Sequence, residues 1–99
     1  MELWRDEDGH QINHKALKHP MRYVYILQSI NFPERFYVGS TNDIARRILE
    51  HNQDKSHYSS IYAPWKLKTY TAFTDDQQAC KFEKYLKTSS GRAFAIKRL

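Results

Sequence analysis

Two short runs of β-branched and aromatic residues, Arg22 to Gln28 and Phe36 to Gly39, flank the turn-rich segment Ser29 to Arg35, which holds Asn31 and Pro33. Runs of this composition predict strands, and a short polar connection predicts that they pair antiparallel. Side chains alternate across a sheet, so Val24, Ile26, Phe36 and Val38 form apolar sets while Tyr23, Tyr25 and Tyr37 take the opposite positions. In the register that buries the first set, the three phenols share the other face, apolar in body and polar at the tips.

The rest of the chain has to cover that sheet. Thr41-Asn42-Asp43 supplies N-cap candidates ahead of a helix from Ile44 to His51. Ile44, Ala45, Ile48 and Leu49 are its expected buried stripe, and Arg47 and His51, four apart, share one face. Asn52 to Tyr62 reads as polar loop. Trp65 to Phe73, after Pro64, predicts a third strand with Lys66 and Lys68 on one side. A second helix starts near Thr74-Asp75-Asp76, where acids suit the helix dipole, and runs to about Lys87 with Ala79, Phe82 and Leu86 as its core stripe. Ser89-Ser90-Gly91 is expected to break it before a short final helix over Arg92 to Leu99. The order β-β-α-β-α-α predicts an α+β domain with a small, mainly antiparallel sheet.

At 99 residues one domain with one modest core is expected. Residues 1–20 read as a polar N-terminal extension ending at His19-Pro20, with residues 21–99 as the folded unit; Met21, just before the first strand, is a candidate start for it. His10 and His14 stand four apart in the extension, but two ligands without a third make a poor metal site. The longest apolar stretch, Tyr23 to Leu27, is far too short to span a bilayer, and no signal sequence is read at the N-terminus. A lone cysteine, Cys80, fits a reducing compartment, and a cytoplasmic location is expected. The net charge is +5, and residues 81–99 hold six bases against Glu83. A basic face of that kind suits a polyanion, most often nucleic acid, or is simply a solvated helix.

Tyr23-Val24-Tyr25 and Tyr37-Val38-Gly39, followed by Ser40 to Ile44, Arg46-Arg47 and Glu50-His51-Asn52, resemble the signature of the GIY-YIG nuclease superfamily, particularly its small stand-alone bacterial members and the N-terminal nuclease domain of the UvrC excision-repair protein. Phe82 to Lys87, leading to Ser90-Gly91-Arg92, is similar to the family's C-terminal block. Tyr23 stands where the name triplet has glycine, Ser40 where some relatives carry lysine, and the downstream asparagine has no clear counterpart. The resemblance implies a three-stranded antiparallel sheet flanked by helices, and hydrolysis of a nucleic-acid phosphodiester with one divalent cation, Mg²⁺ or Mn²⁺. It marks Tyr25, Tyr37, Arg47, His51 and Glu83 as catalytic, Glu83 also as the metal ligand, and Gly39 as structural.

These residue types suit that chemistry. Phosphodiester hydrolysis needs fixed cations against charge developing on the phosphoryl oxygens. Arg47 can grip a phosphate with its planar fork; the bland reading is an exposed Arg-Arg pair, which is the reading given to Arg46 beyond general nucleic-acid contact. His51 can act as general base or position water, or be an ordinary surface histidine. Glu83 alone is too little for a structural metal cage but normal for Mg²⁺, which keeps several waters; otherwise it merely pairs with Lys87 one turn on. Tyr25 and Tyr37 ionise only with help, and are otherwise plain strand tyrosines; Gly39 beside Tyr37 favours Tyr37 for direct contact. Arg46, Lys84, Lys87 and Arg92 are the expected nucleic-acid contacts. Trp65, Tyr58 and Tyr62 either stack on an opened strand or anchor the core.

The function expected is a metal-dependent, structure-selective endonuclease acting on DNA in repair, recombination or processing. DNA is preferred to RNA, and a homodimer or partner protein would supply specificity. The alternative is a non-catalytic nucleic-acid-binding module that keeps the fold.

Overall fold

The first strand in the chain becomes the central one. The computed structural model describes residues 21–53 and 57–99. The reading of residues 1–20, with His10 and His14, lies outside the described residues, as does the side chain of Tyr58. The elements are β1 (Arg22–Ser29), β2 (Phe36–Thr41), α1 (Ile44–Asn52), α2 (His57–Tyr62), β3 (Trp65–Phe73), α3 (Asp76–Leu86) and α4 (Ser89–Arg98). The sheet order is β2-β1-β3, with both pairings antiparallel. The expected α+β architecture is therefore the one observed.

Because β1 has helices on both sides, Val24, Tyr25, Ile26 and Leu27 are buried in succession. Val24 and Ile26 face α3 and α4, packing with Ala79 and Leu86 and with the partly buried Val38, Phe73 and Phe82. Tyr25 and Leu27 face the other way, packing with Trp65 and with Tyr37, Ile48 and Tyr62. Each fully buried aliphatic or aromatic side chain contributes about 1.5–3 kcal/mol, so both faces hold the sheet against its helices. Trp65, only 2% exposed, belongs to this core and is not offered to a base.

Local chemistry sets the helix starts. Asp43 accepts from the Arg46 backbone N–H at 3.1 Å and Asp75 from that of Gln77 at 2.8 Å, caps worth about 1 kcal/mol each. Four expectations need correction. In α1 the inward stripe is Ile44, Ile48 and His51; Ala45 is exposed and Leu49 is 58% exposed. The helix docks by the face that carries His51, and the more apolar Leu49 is left outside. Phe36, placed in the apolar set, is 38% exposed, with the Lys68 ammonium 5.5 Å from its ring centroid. The stretch read as loop holds α2, whose Tyr62 carbonyl accepts from the Ser29 hydroxyl at 2.7 Å; tertiary contact supports a helix too short to declare itself in sequence.

The fourth correction concerns Ser89-Ser90-Gly91, which opens α4 where a break was expected. The turn between the helices is Lys87-Thr88, and the Thr88 hydroxyl caps α4 by accepting from the Gly91 N–H at 3.0 Å. Gly91 is required because a Cβ there would run into the Tyr85 carbonyl. No helix among the described residues is long and apolar enough to cross a membrane.

Candidate active site

Helix α1 is fastened at both ends. The Asp43 cap fixes its start, and at its end the Asn52 amide clamps the first residue of β3. Asn52 Oδ1 accepts from the Trp65 N–H at 2.6 Å, and Nδ2 donates to the Trp65 carbonyl at 3.2 Å. This aims Arg47 and His51 at the tyrosine face of the sheet.

The register supplies the other wall. Tyr25 pairs with Gly39 and Leu27 with Tyr37, so the two phenols lie on one face of neighbouring strands. Their rings stack with centroids 6.4 Å apart, and the His51 ring lies 4.4 Å from that of Tyr37. Gly39 makes this possible. A Cβ at that position would fall 2.5 Å from the Tyr25 hydroxyl and 3.1 Å from the Tyr37 ring. The glycine is therefore a packing requirement of Tyr25.

A polar chain crosses the floor. Arg47 Nη2 lies 3.4 Å from His51 Nε2, and the Tyr25 hydroxyl lies 3.1 Å from the same nitrogen. Arginine has no acceptor, so Nε2 accepts from both and the imidazole proton sits on Nδ1. Arg47 Nη1 also donates to Glu50 Oε1 at 2.7 Å, holding the guanidinium in plane. Burial pushes the Tyr25 phenol above its ordinary 10, opposed by Arg47 beside it. Burial, then the Arg47 charge, pushes His51 below its ordinary 6.5. Glu50, bonded by Arg47, titrates below the usual carboxylate range. At neutral pH the floor is thus a neutral phenol donating to a neutral imidazole, beside a permanent cation.

Tyr25 and His51 are 1% and 3% exposed, so neither meets solvent directly. Tyr37 and Arg47 are only partly buried and form the open side of the cluster.

Glu83 arrives from the opposite face, on α3, and its charge acts on Tyr25, raising the phenol further. Its side chain is 22% exposed, and Lys87 Nζ sits 3.0 Å from Oε2. Among the described residues no three or more His, Cys, Asp or Glu side chains gather as a metal cage. One half-buried carboxylate already holding a cation fits a hard divalent ion that keeps its waters, not a structural metal. Four of the five sequence candidates, Tyr25, Tyr37, Arg47 and His51, are thus in one cluster, with Glu83 approaching from across the sheet.

The expected nucleic-acid contacts are more scattered. Arg46 points back to Asn42 Oδ1 at 3.4 Å, Lys84 is exposed on α3, and Lys87 is engaged with Glu83. Arg92 lines a groove alongside Tyr37. Three contributors had no role in the sequence reading. Glu50 braces Arg47, and the only signal was its i, i+3 spacing. Asn52 anchors the helix through backbone contacts that no spacing reveals. Arg22 donates to Ser40 Oγ at 3.2 Å, which brings a guanidinium to the position where some relatives carry lysine.

Residues 21–97 match the family model described as the GIY-YIG catalytic domain. The chain is also similar to the "Structure-specific endonuclease subunit SLX1" of Meyerozyma guilliermondii, at 39% identity over 65% of this chain and 24% of that protein. The homologue of the same name from Giardia intestinalis is 34% identical over 62% of the chain and 18% of its own length. The Candida dubliniensis protein is 51% identical over 44% of the chain and 16% of its length. The chain therefore spans about a quarter or less of the curated relatives it matches. Family match, fold and site geometry agree: the chain belongs to the GIY-YIG catalytic-domain family.

Proposed function

We propose that this chain is a divalent-metal-dependent endonuclease that hydrolyses DNA phosphodiester bonds at branched or otherwise opened structures. The observation that supports it most is the cluster in which Arg47, braced by Glu50, and Tyr37 each meet His51 of a buried Tyr25–His51 pair. The related proteins carry names of structure-specific endonuclease subunits, which favours a branched substrate and a partner, or a second copy, that completes the specificity.

Arg47 grips a non-bridging oxygen of the scissile phosphate with the edge of its fork and offsets the charge that grows there. Tyr37, the more accessible phenol, meets the attacking water. Tyr25 and His51 do not touch substrate; their hydrogen bond fixes the plane against which Tyr37 and Arg47 are set. Glu83 would hold one Mg²⁺ or Mn²⁺ once Lys87 swings away, and that ion would supply Lewis-acid stabilisation of the phosphoryl and leaving oxygens.

The test incubates the purified chain with branched, nicked, single-stranded and duplex DNA plus Mg²⁺ or Mn²⁺. Cleavage of a branched substrate by wild type, lost in Glu83→Gln, is expected. Equal cutting by both proteins, or none by either, overturns the reading. The Lys87–Glu83 ion pair favours a second reading, a non-catalytic nucleic-acid-binding module. That reading predicts salt-sensitive binding with no cleavage under either metal.

A further inference from the structure

On the α3/α4 side of β2 lies a groove of about 610 Å³; Lys87, which lines it, sits 3.0 Å from Glu83 Oε2, and the edge-strand residue Tyr37 borders it while its ring packs on the other face. Its size is that of a site for a drug-sized ligand, room for about one or two nucleotides of an extended strand and none for a duplex. Lys68 from β3, Lys87 from the α3–α4 turn and Arg92 from α4 bring cations to it; Arg35, from the loop before β2, also lines it, but its guanidinium lies over the Tyr62 ring, 5.1 Å from the centroid. Glu34 is the one acid among the described residues that line it. Lys68 is present because of a bulge. The β1–β3 register slips between Ile26 and Leu27, pairing them with Thr69 and Leu67 and leaving Lys68 unpaired on the groove side.

The groove also carries an aromatic surface. Phe36 is more than a third exposed, and the Lys68 ammonium lies over its ring. Arg92 makes no ion pair among the described residues. A cationic groove with an exposed ring is the usual combination for a single strand, whose bases stack while its phosphates meet the cations.

We propose that this groove holds a single-stranded DNA segment continuous with the strand being cut. A base stacks on Phe36 and displaces Lys68 onto a phosphate, and Arg92 takes a neighbouring phosphate. The inference deepens the endonuclease reading by naming what makes a substrate suitable: an unpaired arm that can enter on the Glu83 side of the sheet. A blunt duplex has none.

The experiment measures binding of a fluorescent oligothymidylate of about ten nucleotides to the full chain without divalent metal, beside a hairpin duplex. Phe36→Ala is expected to weaken single-strand binding about tenfold and leave hairpin binding unchanged. Lys68→Ala with Arg92→Ala should make the slope of log affinity against log salt shallower by about 1.4, the loss of two phosphate contacts. Lys81→Ala with Lys97→Ala, a charge-matched pair outside the groove, should leave that slope within error. Equal effects of the two charge pairs, or equal losses for hairpin and single strand, overturn the proposal. All these side chains except Phe36 are well exposed, and Phe36→Leu keeps apolar volume without an aromatic face, so it should weaken binding as Phe36→Ala does. Groove binding without cleavage on adding metal sinks the endonuclease reading and leaves this one standing. Cleavage with unaltered binding in the groove variants does the reverse.

Discussion

Beneath α3 and α4 the sheet buries Val24, Ile26, Ala79 and Leu86, which carry no polar side-chain atom to satisfy. Beneath α1 and α2 it buries Tyr25, Trp65 and His51, each with a donor or acceptor that has to be met. The first face tolerates any arrangement that fills the volume. The second tolerates only arrangements that keep the buried Tyr25–His51 hydrogen bond intact, since an unmet buried polar group costs about 1–3 kcal/mol. One side of the sheet supplies stability, and the other spends part of its burial on geometry.

Substitutions on the two faces should separate along those lines. The largest effect is expected from Arg47→Ala, which should lower the cleavage rate about 10²–10³-fold while barely moving the melting temperature, because its side chain is 34% exposed. A matching collapse of stability would break the contrast. Leu86→Ala should do the opposite, losing about 2–5 kcal/mol in denaturant unfolding with cleavage per folded molecule unchanged. Gly39→Ala tests the join between the two roles. Its methyl group meets the Tyr25 hydroxyl, so about 1–3 kcal/mol of overpacking should appear together with a fall in cleavage. A stable, fully active variant would show that Tyr25 need not lie where it does.

The pH dependence of stability sharpens the same point. His51 titrates below its ordinary 6.5 when folded, so its contribution is complete above that pH and is lost as pH falls through 6.5 toward its folded value. Tyr25 titrates above 10 when folded, so its contribution is complete below 10 and is lost as pH rises past it. Unfolding midpoints should therefore be flat between the two and fall on either side, with Tyr25→Phe abolishing the alkaline fall. The smallest effect is expected from Glu50→Gln. It keeps a hydrogen-bond acceptor for Arg47 but loses the charge, and a several-fold drop in cleavage, measured against Arg47→Ala, is the outcome to look for.

Much of this was legible before the structure. The strand boundaries of β3, the Ala79-Phe82-Leu86 stripe and the shared face of Tyr25 and Tyr37 follow from periods of 3.6 and 2 that local chemistry obeys. The inward face of α1 was not legible, because hydropathy alone ranks Leu49 above His51 and the site reverses that order. Helix α2 hid because so short an element is made by contact, not by propensity. Within the site, Arg47 with His51 could be read from a four-residue spacing. The Arg22–Ser40 contact could not, since it depends on a strand register that no single segment contains.

The fit of Gly91 against the Tyr85 carbonyl has a mechanical consequence. A contact between backbones cannot be eased by turning a side chain to another rotamer, so α3 and α4 are welded into a single lever. Glu83 and Lys87 ride on one arm or its elbow and Arg92 on the other. The separation of their backbone positions is set by chain geometry before any substrate arrives, so the side chains that must move, Lys87 among them, swing from fixed anchor points.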